Sequence, residues 1–301
     1  MIKRILILFA IAQLSMMGYS QTPKWAEKAK KAVFSVVTYD ANDKILNTGN
    51  GFFISEKGVA ISDYALFKNA QRAVIITSEG EKMPVKAILG ANDMYDVVKF
   101  SVDITSKKVA NLTLSETLMT ESTKLWLLPY STQKVRSLTS GNVNSVDKIS
   151  DYTYYTINLP LKEKMVSCPL MNDEGLVVAL AQKVSGQDTA TICYGVDARF
   201  ANSQEITAIS YNDYALKQIG IKKALPETED QALIFLYMVS SQVDAEQYAS
   251  LLNDFIAQYP NSADGYVRRA SNQLILSTDD SSLEKIENDI HQALQITDAK
   301  D

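Results

Sequence analysis

Short strand-like segments separated by turn residues recur from about residue 33 to residue 200, and this repetition limits the possible folds more than any other feature. The segments are rich in β-branched and aromatic residues, which favour strands. The predicted strands are Ala32–Tyr39, Gly51–Ser55, Val59–Ser62, Ala73–Thr77, Val85–Leu89, Val97–Val102, Lys124–Leu128, Tyr152–Leu159, Leu176–Ala181 and Thr191–Val196. The predicted turns are 41–43, 56–58, 78–80, 140–142 and 172–175. Many short strands at this spacing predict an antiparallel barrel or sandwich.

The character of the chain changes after Pro226, where glycine becomes scarce and apolar residues recur at helical spacing. Short helices are also predicted at Lys24–Lys31 and Asn212–Ile219 in the first part. The four long predicted helices are Thr228–Ser240, Ala245–Tyr259, Ala263–Leu276 and Ser281–Thr297. The chain is therefore expected to be mainly β, with an α-helical region at its C-terminal end.

The N-terminus has the pattern of a secretory signal peptide over residues 1–20. Lys3 and Arg4 precede an apolar run, and Gly18 and Ser20 are small residues before a plausible cleavage site. The apolar run is shorter than the roughly 20 residues that span a bilayer. We therefore expect a secreted or periplasmic protein without stable membrane insertion after cleavage, a retained anchor being the alternative.

Four segments in the β-rich part resemble trypsin-like serine proteases of the HtrA type, in the family's order. They are Gly49–Ser55, Val59–Leu66, Tyr95–Phe100 and Pro169–Val178, and the resemblance covers residues about 33–200. It implies a double β-barrel over residues 24–215, followed by a linker at 216–227.

The resemblance also implies positions for a catalytic triad, and two of them have lost the residue that the chemistry needs. Ala65 stands at the histidine position, Asp96 remains at the aspartate position and Val166 stands at the nucleophile position. Alanine cannot accept a proton and valine cannot attack a carbonyl carbon. The only histidine in the chain is His291, far along the sequence. We expect a pseudoprotease in which Lys164 occupies the place of an oxyanion-loop glycine.

Alternatives remain for the chemistry of this domain. Ser167 or Cys168 could replace the nucleophile, and Lys164 could act as a base for the serine. The same three residues, Lys164, Ser167 and Cys168, are the candidates for a remnant cleft. A purely structural envelope component is the third possibility, favoured if Tyr64 and Met165 fill the former site. The leading hypothesis is a module that binds a protein or peptide partner.

Residues 228–301 resemble tetratricopeptide repeats. The offset from Thr228 to Ser262 is 34 residues, the expected period, and Ala270 and Ala293 stand at the small positions where helices touch. Two repeats rarely stand alone, because each buries its apolar face on a neighbour. Either they dock on the barrel, or a partner completes the stack, or this chain is shorter than its natural length.

Composition and cysteine content add little to the function. The net charge is −5 without a dense basic run, which argues against nucleic-acid binding. Cys168 and Cys193 are either one disulfide, as an oxidising compartment permits, or two buried thiols. With one histidine and no cysteine near it in sequence, we expect no metal and no cofactor.

Overall fold

A computed structural model describes residues 22–104, 108–135, 137–150, 152–183, 191–277 and 279–299. The predicted signal peptide lies outside the described residues. Within the described residues, no helix is both long enough and apolar enough to cross a membrane.

The first half of the β-rich part is a closed six-stranded barrel. Its strands pair antiparallel in the order β1-β2-β3-β6-β5-β4. Alternating side chains of β1 are buried, the pattern expected of a strand with one face in a core. The six strands are β1 (Val33–Tyr39), β2 (Ile45–Phe53), β3 (Val59–Ser62), β4 (Arg72–Ile76), β5 (Lys82–Asn92) and β6 (Val97–Val102).

The second half is another closed barrel of six antiparallel strands, in the order β10-β11-β12-β9-β8-β7. All six residues of β11 are buried, because this strand faces the barrel core on one side and the neighbouring barrel on the other. The strands are β7 (Lys124–Leu127), β8 (Thr139–Ile149), β9 (Tyr152–Ile157), β10 (Pro169–Met171), β11 (Val177–Gln182) and β12 (Cys193–Asp197). The double β-barrel expected from the sequence is confirmed.

The turn predicted at residues 140–142 is wrong, because these residues lie inside β8. Gly141 pairs with Leu125 of β7 in the sheet. A Cβ atom at Gly141 would lie 2.1 Å from the carbonyl oxygen of Asn158. The glycine therefore permits a close approach of two backbone segments rather than a reversal of the chain.

The two barrels pack against each other through a shared apolar layer. Phe52, Ile61 and Tyr95 of the first barrel belong to one buried cluster with Leu180 and Val196 of the second. Removal of this area from water is the main favourable contribution to holding the barrels together. The candidate site lies along the same junction.

Four short helices accompany the barrels, and four longer helices follow them. The short ones are α1 (Ala26–Ala29), α2 (Tyr64–Phe67), α3 (Phe200–Ser203) and α4 (Tyr214–Lys217). The long ones are α5 (Glu229–Val239), α6 (Ala245–Gln258), α7 (Ala263–Leu276) and α8 (Asp280–Asp298). The C-terminal helical region predicted from the sequence is confirmed, with ends within two residues of the expected ones.

The segment expected as a linker, residues 216–227, is packed against the first barrel. The amide of Ile88 in β5 donates to the carbonyl of Lys222 at 2.8 Å, and the amide of Ala224 donates back to Ile88 at 2.8 Å. Ile219 and Leu225 are buried in the same cluster as the barrel core. This segment therefore acts as an added stretch of strand beside β5.

The first two long helices dock on the first barrel. Phe235 of α5 and Leu252 of α6 are fully buried in one cluster with Phe34 and Phe100 of the barrel. Of the three arrangements considered for the helices, docking on the barrel is therefore the one present here. Ala270 and Ala293 are both buried in the last helix pair.

This shared core predicts that a cavity in α5 destabilises the barrel as well. Phe235→Ala should lower the free energy of unfolding by about 3–5 kcal/mol, because a buried aromatic ring is lost. Chemical denaturation measures this change, and hydrogen exchange should show lower protection in β5 and β6.

Ile234→Ala is the matched control, because Ile234 is the neighbouring residue and is exposed. It should change stability by less than about 0.5 kcal/mol. Unfolding of the helices alone in Phe235→Ala, with full protection retained in the barrel, would contradict the shared core.

Candidate active site

Two of the three expected triad positions come together in the first barrel. Ala65 lies in α2, directly after β3, and Asp96 lies in the turn between β5 and β6. The backbone amide of Ala65 donates a hydrogen bond to Asp96 Oδ1 at 2.7 Å. The carboxylate therefore touches the residue that stands where a histidine is expected.

Asp96 is held in an unusual local geometry. Its φ is 50°, in the left-handed region that residues with a side chain rarely adopt. Burial raises the pKa of its carboxyl, and the hydrogen bond from Ala65 opposes that rise. Gln182 of β11 donates to the carbonyls of Tyr95 at 2.7 Å and of Asp96 at 3.3 Å, so the second barrel helps to hold this turn.

The third expected position, Val166, lies in the second barrel and is hydrogen-bonded to the first barrel. It follows a short 3₁₀ turn at Glu163–Met165 and precedes β10. Asn50 of β2 donates through Nδ2 to the carbonyls of Lys164 at 3.1 Å and of Val166 at 2.8 Å. A single buried amide of the first barrel therefore fixes the loop that corresponds to the nucleophile loop.

Asp63 is a buried carboxyl at this junction that the sequence patterns did not single out. Burial raises its pKa well above the usual range, and the charge of nearby Asp96 raises it further. The nearby Ser167 hydroxyl opposes the rise in the pKa of Asp63. The Ser167 hydroxyl and Asp63 Oδ1 are nevertheless not positioned to form a hydrogen bond with each other. Asp63 Oδ1 and Ser167 Oγ are both buried without a partner in the described part of the chain.

One sequence signal could have indicated Asp63. The residue directly follows the apolar strand β3, and it stands two places before Ala65. A carboxylate at the end of a buried strand, beside a candidate site, is a common place for a perturbed pKa. The resemblance directed attention to the triad positions alone.

The two proposed replacement nucleophiles are both buried. Ser167 is 1% exposed, with a φ of 65° and its amide donating to the carbonyl of Ala181 at 2.8 Å. Cys168 is fully buried, and burial raises the pKa of its thiol to about 12. Such a thiol stays protonated at neutral pH, where a nucleophile needs the thiolate. Lys164, the proposed base, is exposed.

Cys168 and Cys193 are free thiols in the structure rather than a disulfide. Both belong to the apolar core of the second barrel. Burial raises the pKa of Cys193 to about 12 as well. They have the environment of small apolar core residues, the second of the two alternatives considered from sequence.

The two bulky residues considered as fillers of the site lie in different places. Tyr64 is buried in the core of the first barrel, and its hydroxyl has no partner among the described residues. Burial raises the pKa of this hydroxyl. Met165 is half-buried against the core of the second barrel.

Across the described ranges, no group of three or more His, Cys, Asp or Glu side chains could hold a metal ion.

Comparison with known proteins agrees with this architecture. Residues 49–180 match the model of the trypsin-like peptidase domain. The matched residues belong to the two barrels and are similar to this peptidase domain. The matched range includes Ala65, Asp96 and Val166.

A solved structure extends the comparison to the fold of the chain. The crystal structure of the serine endoprotease from Yersinia pestis is similar, with a TM-score of 0.51 and 14% sequence identity. The similarity covers 62% of this chain and 65% of that chain. At this identity the likeness shows the fold alone. No curated protein sequence matches the chain.

The buried carboxyl of Asp63 predicts a pH-dependent stability. Because its folded-state pKa is raised, Asp63 is protonated in the folded protein at low pH. Its ionisation then costs stability as pH rises from the unfolded pKa of about 3.9 through the folded value. Asp63→Asn should therefore raise the free energy of unfolding at pH 8 by about 1–3 kcal/mol, with little gain at pH 4.

Urea denaturation at the two pH values measures this effect. Asp103→Asn removes an exposed carboxylate from the same barrel and is the control. Equal effects of Asp63→Asn at pH 4 and pH 8 would show that the Asp63 carboxyl does not change its protonation in this range.

Proposed function

We propose that this protein is a secreted or periplasmic pseudoprotease whose trypsin-like domain binds or supports a protein or peptide partner. The carrying observation is the contact between Asp96 and Ala65. A carboxylate in this place orients an imidazole in the catalytic triad, and here it accepts a hydrogen bond from a backbone amide instead. The proton acceptor that the reaction requires is absent from this contact.

The position of the only histidine supports the proposal. His291 lies in α8 and is exposed, in the helical region rather than in either barrel. Val166 at the nucleophile position offers no group that could attack a carbonyl carbon. General base and nucleophile are therefore both missing from the positions that the resemblance assigns.

The burial of Ser167 and Cys168 weighs against a peptidase with a substituted nucleophile. A substrate carbonyl must come within about 3–3.5 Å of the attacking atom, and a fully buried side chain cannot be reached without a rearrangement. The thiol of Cys168 would also have to lose its proton against a pKa of about 12.

The helical region supports a role in binding, and we propose that it is a tetratricopeptide-like pair of repeats. A cleft of about 390 Å³ lies between α6, α7 and α8, lined by amide and charged side chains. Arg269 Nε and Nη2 form a two-pronged ion pair with Asp289 at 2.8 and 2.6 Å, and Nη1 donates to Asn253 at 2.9 Å. The wall of this cleft is therefore ordered before any partner arrives.

The proposal predicts that residues 21–301 do not hydrolyse unfolded casein, even at high protein concentration. Fluorescein-labelled casein reports both events, because hydrolysis releases acid-soluble dye and binding raises the anisotropy. We expect saturable binding without release of dye.

Ser167→Ala and Cys168→Ala serve as the decisive variants. Turnover by the unmodified chain that disappears in one of them would overturn the proposal and identify a new nucleophile. Neither turnover nor binding would leave the protein as a structural component of the envelope, the alternative that needs no ligand.

A further inference from the structure

An apolar groove lies outside the candidate active site, along the outer face of α5. Ile209 is 81% exposed, Ile234 61% and Met238 41%. Tyr237, next to Met238 on the same helix, is 70% exposed. Single exposed apolar residues are ordinary, but a contiguous group beside a groove is typical of an interaction site.

The groove is a formed depression with a packed floor. Its volume is about 240 Å³, and we call it the α5 groove. Polar side chains of Glu205, Thr207 and Gln231 line part of it, and its apolar lining includes Ile206, Ala208, Ile209, Ile234, Phe235 and Met238. Phe235 and Ile206 are buried in the core that the helices share with the first barrel. The Phe235 ring also packs edge-on against Tyr211, with ring centroids 5.4 Å apart. Because packing already orders the floor of the groove, docking of a partner would cost little further conformational entropy there.

The charges at one end of the α5 groove are mainly negative. Glu205 lines both the groove and a neighbouring cavity of about 410 Å³, which Glu227 also lines. Asp230 is exposed and lies four and eight residues before Ile234 and Met238, on the same helical face. None of these three carboxylates forms an ion pair within the described ranges.

Lys99 lies near Glu205 and Glu227, and its ammonium group is already hydrogen-bonded. Lys99 of β6 is half-buried in the neighbouring cavity, and its Nζ donates to the carbonyl of Gln204 at 3.1 Å. Burial lowers the pKa of Lys99, while Glu227 and Glu205 oppose that change. The negative charge at this end of the groove is thus only partly balanced.

We propose that the α5 groove docks a segment of a protein partner that carries an apolar anchor side chain flanked by lysine or arginine. The apolar side chain would fill the groove, and the basic side chains would pair with Glu205, Glu227 and Asp230. A second copy of this chain is a poorer occupant, because a twofold contact through this face would bring the same carboxylates together. The inference does not depend on the proposed function, since no triad position lines the groove.

Three dansyl-labelled nine-residue peptides test the inference on residues 21–301 by fluorescence anisotropy. The first has two central leucines flanked by lysines, the second has the same leucines flanked by glutamates, and the third has lysines around two serines. We expect saturable binding of the first peptide alone. Its affinity should fall as salt concentration rises, because exposed charge pairs are screened.

Matched variants locate the binding site. Ile234→Gln with Met238→Gln should weaken binding of the first peptide at least about tenfold, the effect of losing roughly 1.4 kcal/mol of binding free energy. Glu205→Gln with Glu227→Gln should weaken it several-fold and reduce its salt dependence. Ile275→Gln is the control, because Ile275 is 75% exposed on α7 and should not affect binding.

Several results would overturn the proposal. They are absence of saturation up to about 1 mM peptide, equal binding of the glutamate-flanked peptide, or unchanged affinity in Ile234→Gln with Met238→Gln. Sedimentation provides a separate check. A dimer of the unmodified chain that becomes monomeric in Ile234→Gln would show that a second copy occupies the groove.

Discussion

The apolar layer between the two barrels, crossed by two buried amides, is the contact on which the rest of the structure depends. Asn50 reaches from the first barrel to the carbonyls of Lys164 and Val166, and Gln182 reaches from the second barrel to the turn of Tyr95 and Asp96. Each amide donates to two carbonyls of the other barrel, and such a hydrogen bond contributes about 0.5–1.5 kcal/mol to stability. The apolar area supplies the attraction, and the amides specify the register in which the barrels meet.

This register brings Asp63 of the first barrel near Ser167 of the second, beside the contact between Asp96 and Ala65 within the first barrel. Two carboxyls in a dry junction repel each other when both are ionised, and burial disfavours the charged form of each. In a triad an imidazole would share this environment with Asp96. In our proposal the site keeps the scaffold of the triad but not its proton acceptor, so the carboxyls affect stability rather than chemistry.

Much of the architecture could be predicted from local patterns. The four long helices begin and end close to their predicted positions. Three of them have a side-chain N-cap, from Thr228, Asp244 and Asp279. Residues 140–142 of β8 were predicted as a turn, because Ser-Gly-Asn is typical of turns. The structure needs glycine at position 141 for another reason, since the backbone of Asn158 lies too close for a side chain. The two bridging amides were also missed, because the carbonyls that they bind are distant in sequence. Asp63 was missed because its burial depends on residues from both barrels.

The sequence by itself determined the alternation of strands, the helical end and the absence of histidine from residues 33–200. These properties depend only on which residues are present and on their spacing over a few positions, and both can be read directly from the sequence. Only the tertiary structure decided that Ser167 and Cys168 are buried, that residues 219–225 pack beside β5 and that the helices share a core with the first barrel. Burial and packing depend on residues far apart in sequence, and the free energy of these contacts is defined only when the chain has folded.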